Sequence, residues 1–168
     1  MSATAPIESA LELPCYVAGE PVVGNSKLEV HYPYTGEVSG IVSMLGCKEL
    51  DAAISAALAP RDPLTRYQRY EILERARTLL SERADEFAHL IRSEAGLCMR
   101  ETRYEVGRAQ DVLQFAAMES LKDDGQIFSC DVSPQGKARK IFTIREPLNL
   151  VAAITPFNHP LNQVAHKL

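Results

Sequence analysis

A nearly continuous apolar run close to the C-terminal end constrains this chain more than any other feature. Leu148, Leu150, Val151, Ala152, Ala153 and Ile154 are interrupted only by Asn149, and Pro147 marks the boundary before them. Such a run fits a strand covered on both faces, as in a parallel sheet. Thr155-Pro156-Phe157-Asn158-His159-Pro160 follows, and Leu161–Leu168 then reads as a helix with Pro160 near its first turn. Strand, turn and helix in that order open an α/β nucleotide-binding sheet. One strand cannot make such a sheet, and a helix this short is marginal alone because nucleation is costly. The expectation is an α/β chain that is the N-terminal piece of something larger, although length alone suggests one domain.

Composition narrows the function classes. Lys and Arg number 18 against 22 Asp and Glu, a formal net charge of −4 over 168 residues. That balance gives no global attraction to nucleic acid or anionic lipid, so neither is expected as a partner. Apolar residues at 46% and charged residues at 24% are ordinary globular values, which excludes collagen-like, mucin-like and strongly disordered chains. No run approaches the roughly 20 apolar residues of a membrane-spanning helix. The opening MSATAPIESALELP lacks a basic region followed by an apolar core, so no secretory leader is expected. Cys15, Cys47, Cys98 and Cys130 form no CxxC or Cys/His cluster, so no metal site is expected. Sparse cysteines of this kind fit reduced thiols in a cytoplasmic protein. None sits in a persuasive setting for a nucleophile.

Upstream, the period alternates between strand and helix. Residues 1–14 read as a loose or docked arm. Ala18-Gly19-Glu20-Pro21 is a turn between short β-prone pieces. A second hairpin joins Leu28–Tyr32 to Val38–Leu45 through Pro33-Tyr34-Thr35-Gly36. Lys48–Leu58 reads as an Ala-rich helix. A long helix follows an N-cap within Asp62–Thr65, with Leu64, Tyr67, Tyr70, Leu73, Ala76 and Leu80 on its apolar stripe. Phe87, Leu90 and Ile91 continue in another helix that Gly96 ends. Met99–Lys122 is predicted as a further helix with Val106, Ala109, Val112, Leu113 and Ala116 facing inward, ended by Asp123-Asp124-Gly125. Gln126–Asp131 and Lys137–Arg145 form a third hairpin around Ser133-Pro134-Gln135-Gly136.

The stretch Ile154-Thr155-Pro156-Phe157-Asn158-His159-Pro160-Leu161, followed by Lys167, resembles the aldehyde dehydrogenase superfamily. Its members carry a Pro-(Trp/Phe)-Asn-(Phe/His/Tyr)-Pro turn after the first strand of the NAD domain. Pro33-Tyr34-Thr35-Gly36, Arg66–Leu73, Ser93-Glu94-Ala95-Gly96, Glu105-Val106-Gly107-Arg108-Ala109 and the basic hairpin before Glu146-Pro147-Leu148 follow the family's order. The ordered set carries the resemblance, over residues from about 16 to 168. It implies the N-terminal part of an aldehyde dehydrogenase fold: an incomplete NAD-binding open α/β sheet preceded by helices and β-hairpins. The implied organisation is an arm at 1–15, hairpins and helices at 16–125, an oligomerisation hairpin at 126–146, and a truncated strand–turn–helix at 147–168.

The resemblance further implies oxidation of an aldehyde to its acid with NAD or NADP, through a thiohemiacetal and thioester on a cysteine. No cysteine here stands in the family's Gly-Gln-x-Cys-like context. The nucleophile, the general-base glutamate and the glycine-containing cofactor segment are expected downstream of Leu168. Residues 1–168 alone are therefore expected to be inactive, and the whole enzyme to be a homodimer or homotetramer. A truncated non-catalytic module that associates with full-length subunits is the alternative.

Asn158 is the sharpest candidate. Read on its residues alone, it fits the N-cap of the helix that Pro160 begins. Within the family motif it is implied to donate its amide N–H to the oxyanion formed by thiolate attack. Ile154, Thr155, Pro156 and Phe157 are implied to lie against the cofactor. Lys167 matches a lysine implicated in proton relay, and also fits a solvated helix position. Arg108 and His159 are implied to face the substrate, and a guanidinium suits carboxylate or phosphonate. Arg108 also fits a surface pair with Asp111 or Glu105. The run Asn158–Lys167 looks most like phosphonoacetaldehyde-type members and their lactaldehyde or semialdehyde neighbours, which implies a small anionic aldehyde.

Overall fold

A computed structural model describes residues 11–122 and 124–168. Most of the arm expected at 1–15 lies outside them. Its described end is a short strand, β1 (Leu11–Leu13), which pairs parallel with β5 (Val38–Met44), Leu11 opposite Gly40. On the other side of β5 runs β4 (Ser26–His31), antiparallel, with Ser26 opposite Met44 and a register shift at Val30/His31. Gly36, at φ +77°, closes their turn as its N–H donates to the Tyr32 carbonyl at 2.8 Å. A separate hairpin pairs β2 (Cys15–Val17) with β3 (Glu20–Val22). Both of its turn residues have positive φ, Ala18 at 53° and Gly19 at 86°, the geometry that matches the twist of paired strands.

Helices follow as expected from the change of period. The first, α1 (Cys47–Leu58), buries none of its residues. The second, α2 (Arg66–Glu82), starts two residues later than the Leu64 stripe predicts, because Thr65 is the cap. Its hydroxyl accepts from Gln68 N–H at 3.2 Å, and Gln68 Oε1 accepts from Thr65 N–H at 2.9 Å, a reciprocal capping box. Next come α3 (Ala84–Ala95) and α4 (Met99–Ser120). Gly96 ends α3 at φ +71°, and a Cβ there would stand 3.2 Å from the Pro33 ring. That contact sets the β4–β5 turn against the α3–α4 junction.

The core gathers on α4. Leu80 from α2, Ala88 and Ile91 from α3, and Val106, Ala109 and Leu113 from α4 form one buried cluster. Ala165 of α5 (Pro160–Ala165) joins it. Ala88, Ala109 and Ala117 are fully buried, so small side chains let the backbones approach closely. On α3, burial pushes the Glu94 carboxyl up, while Arg83 holds Glu86 below the usual carboxylate range.

Two expectations are corrected. The hairpin predicted over Gln126–Asp131 and Lys137–Arg145 pairs over two residues a side, β6 (Ile127–Phe128) with β7 (Ile141–Phe142). Ile127 and Phe142 are exposed on it, and a lone two-stranded ribbon is marginal. The buried strand predicted at Leu148–Ile154 carries no ladder among the described residues, and Leu148 and Ile154 are 79% and 87% exposed. A strand buried on both faces needs a sheet to pair with and layers over it, and none of the described strands lies beside it. Of the residues expected to end α4, Asp123 lies outside the described set.

Gly96→Ala places a side chain in left-handed backbone and against Pro33, and should cost about 1–2 kcal/mol. Thr65→Ala, which removes one half of the α2 capping box, should cost about 1 kcal/mol. Urea unfolding midpoints check both.

Candidate functional site

The turn at 154–159 leads into α5, and one side chain from α4 holds α5 in place. Glu105 sits on the inward stripe of α4 with Thr102, Val106, Ala109 and Leu113, and is 2% exposed. Its Oε1 accepts from Leu161 N–H at 2.9 Å and from Asn162 N–H at 3.1 Å. These are the second and third residues of α5, whose amides have no partner inside the helix. Pro160, the first residue, has no N–H to satisfy. The carboxylate therefore meets the free donors of the helix start, and its charge suits the positive end of the helix dipole.

The other oxygen, Oε2, accepts no hydrogen bond from the described residues and stands 3.5 Å from His159 Nδ1. His159 is the N-cap of α5, at φ −142° and ψ 78°, and its side chain makes no capping hydrogen bond. It is 41% exposed, so the ring spans from the buried carboxylate to the surface. With Nδ1 turned inward, Nε2 is the ring nitrogen left to meet a ligand.

Asn158 is exposed and lies just before the cap. The capping role that its residue type suggests is thus not the one it plays, because His159 occupies that position and Glu105 takes the amides. Lys167 is exposed and falls past the end of α5, in the turn where its N–H donates to the Val164 carbonyl at 2.9 Å.

Arg108 is exposed one turn along α4 from Glu105. Its guanidinium stands 5.9 Å from the centre of the Tyr104 ring, a cation–π contact. Among the described residues it makes no salt bridge, so the pairing with Asp111 or Glu105 is not formed. Among the described residues no hydrogen bond or ion pair joins Arg108 to His159. The Arg108 guanidinium keeps its N–H donors available.

Ile154, Thr155 and Pro156 have no regular secondary structure, Phe157 lies in a bend, and all four are exposed, Ile154 at 87% and Phe157 at 91%. The residues that sequence reasoning passed over are Glu105, in its buried role, and Asn162, which is 1% exposed. The signal for Glu105 was present. It stands four residues before Ala109 and eight before Leu113, a charged residue on an apolar stripe.

Comparison with known proteins gives the family and the fold. The family model described as "Aldehyde dehydrogenase family" matches residues 22–168. The chain is 38% identical over 154 residues to a 3-sulfolactaldehyde dehydrogenase of Priestia aryabhattai, covering 91% of this chain and 32% of the relative. It is 37% identical over 145 residues to aspartate-semialdehyde dehydrogenase 1 of Pseudomonas canavaninivorans, covering 84% of this chain and 31% of that one. Among solved structures it resembles aldehyde dehydrogenase 21 of Physcomitrella patens, in complex with the reaction product succinate. The match has a TM-score of 0.88 and 32% identity, and covers 95% of this chain and 34% of the other. The chain spans about a third of the length of these relatives. It belongs to the aldehyde dehydrogenase family and presents the fold of that family's N-terminal part.

Proposed function

We propose that this segment serves an NAD(P)-dependent dehydrogenase that oxidises a small anionic aldehyde to its acid, with phosphonoacetaldehyde as the first candidate. The observation that carries the reading is the Asn158–His159 turn. Glu105 satisfies the start of α5, so the exposed Asn158 amide is not spent on capping.

Attack by a cysteine thiolate supplied from outside this segment puts negative charge on the former carbonyl oxygen. Asn158 donates an amide N–H to that oxygen, and it carries no titratable charge that would change with pH. Arg108 offers two parallel N–H donors to the anionic end of the aldehyde, and His159, when both ring nitrogens carry protons, adds Nε2–H. Tyr104 supports the guanidinium from one side. Lys167 moves a proton during hydrolysis of the thioester. Ile154–Phe157 cover the cofactor, and bound nicotinamide supplies the hydride acceptor.

The names of the relatives support the substrate class. Sulfolactaldehyde carries a sulfonate and aspartate semialdehyde a carboxylate, while the plant enzyme's product is succinate. A phosphonate shares the tetrahedral oxyanion geometry of a sulfonate. The open edge of the 126–146 hairpin, with Ile127, Phe142 and Ile144 exposed, supports a role in homo-oligomer assembly. The same exposed residues favour the second reading, a non-catalytic module that docks on full-length subunits. The four free cysteines fit the reducing cytoplasm proposed for the enzyme. No helix among the described residues is long and apolar enough to cross a membrane.

In the whole enzyme, Asn158→Ala should lower kcat by about 10²–10³-fold with little change in KM. Arg108→Ala and His159→Ala should each lower kcat/KM for phosphonoacetaldehyde or 3-sulfolactaldehyde by about tenfold more than for a neutral aldehyde of similar size. Equal losses on both substrates overturn the anionic assignment. Purified residues 1–168 should form no NADH above background, and measurable NADH overturns the division of labour between this segment and the rest.

A further inference from the structure

Glu105 is the only charged side chain buried among the described residues. Burying a carboxylate is costly unless its hydrogen bonds are made. A serine, threonine, asparagine or aspartate at position 159 could cap α5 from its own loop without burying a charge. The chain instead has a histidine there that makes no capping hydrogen bond, and an acceptor from a residue 56 positions away. The two arrangements differ in what they fix. A local cap ties a helix end to its own loop. A cap from α4 ties the helix end to another helix, and so sets a tertiary distance. The helix chosen also carries Arg108, one turn on.

We propose that Glu105 is a positioning residue for the reaction. Its carboxylate clamps the first amides of α5 and the His159 ring to α4, and so fixes where the Asn158 amide points relative to the Arg108 helix. The proposal rests on the reading of Asn158 as the oxyanion donor. Misplacement of a donor by about 1 Å can lower a rate by about 10²-fold, so a clamp of this reach is expected to show in turnover.

Glu105→Asp keeps the charge and withdraws the carboxylate by one methylene, about 1.5 Å. Glu105→Gln keeps the reach and an acceptor oxygen for the two amides. In the whole enzyme, E105D should lower kcat by about 10–100-fold with KM for the aldehyde within about threefold, and E105Q should keep kcat within about threefold. In an Asn158→Ala background, E105D should add less than about a twofold further loss, because both changes remove one function.

Three results overturn the clamp: E105D with kcat within about twofold of the parent, E105Q losing as much as E105D, or E105D adding its full loss on top of Asn158→Ala. If Asn158→Ala itself leaves kcat unchanged, the oxyanion reading falls and the clamp with it. The last two outcomes separate the two ideas.

Should E105D fail to fold, E105L/H159S answers the same question. Leucine suits the apolar stripe, and serine supplies a local cap. This pair should melt close to H159S alone, yet show kcat about 10–100-fold below it. Equal kcat in the two overturns the proposal.

Discussion

A single carboxylate, buried on the inner face of α4, joins the core of this protein to the turn that carries Asn158 and His159. Glu105 occupies a position that periodicity reserves for an apolar side chain, among Thr102, Val106, Ala109 and Leu113. Its burial is tolerable because two backbone N–H groups meet one oxygen and an imidazole faces the other. Remove the carboxylate and the start of α5 is left with unmet donors in a buried corner. Remove α5 and the carboxylate is stranded. The six residues of α5 could not form a stable helix in isolation. They are held by this pair of bonds and by Ala165 and Leu161 against the core.

Around that contact the fold is arranged so that α4 touches everything that matters. It packs against α2, α3 and α5. The β4–β5 hairpin is set against the same unit by Pro33 at Gly96. By contrast the hairpin at 127–142 and the irregular segment before Asn158 stand away from the core, with Ile127, Ile154 and Phe157 near full exposure. The molecule thus has a packed helical body and two exposed apolar segments. Asn158 sits where one of them meets α5.

Much of this was legible in the residues, and the failures are instructive. Helix limits followed local signals: Thr65 with Gln68 for the start of α2, and Gly96 for the end of α3. The hairpin turns at Ala18-Gly19 and at Gly36 were equally local, since positive φ favours few residue types. The strand predicted at 148–154 failed because its pattern describes a partner-dependent state, and apolar residues alone do not provide a ladder. Asn158 was readable as a cap or as a donor, and its own loop could not decide between them. That Asn158 does not cap follows from Glu105, 56 positions before Leu161, through a contact that no local window contains. Arg108 was correctly separated from the core by helical spacing, but its Tyr104 contact depends on rotamers that spacing does not determine.

The distance in sequence between Glu105 and the amides it holds has a consequence for anyone who would redesign this corner. Substrate loops in enzymes are commonly treated as exchangeable parts mounted on an inert frame. Here the mounting bracket is on the frame. Transplanting residues 154–165 into another scaffold would move Asn158 without its anchor, and the graft would carry a helix start with nothing to hold it. The transferable unit is discontinuous, comprising the loop, α5 and the α4 turn from Glu105 to Arg108. Directed libraries confined to the loop therefore sample orientations that α4 has already restricted, and a library pairing position 105 with position 159 opens the others.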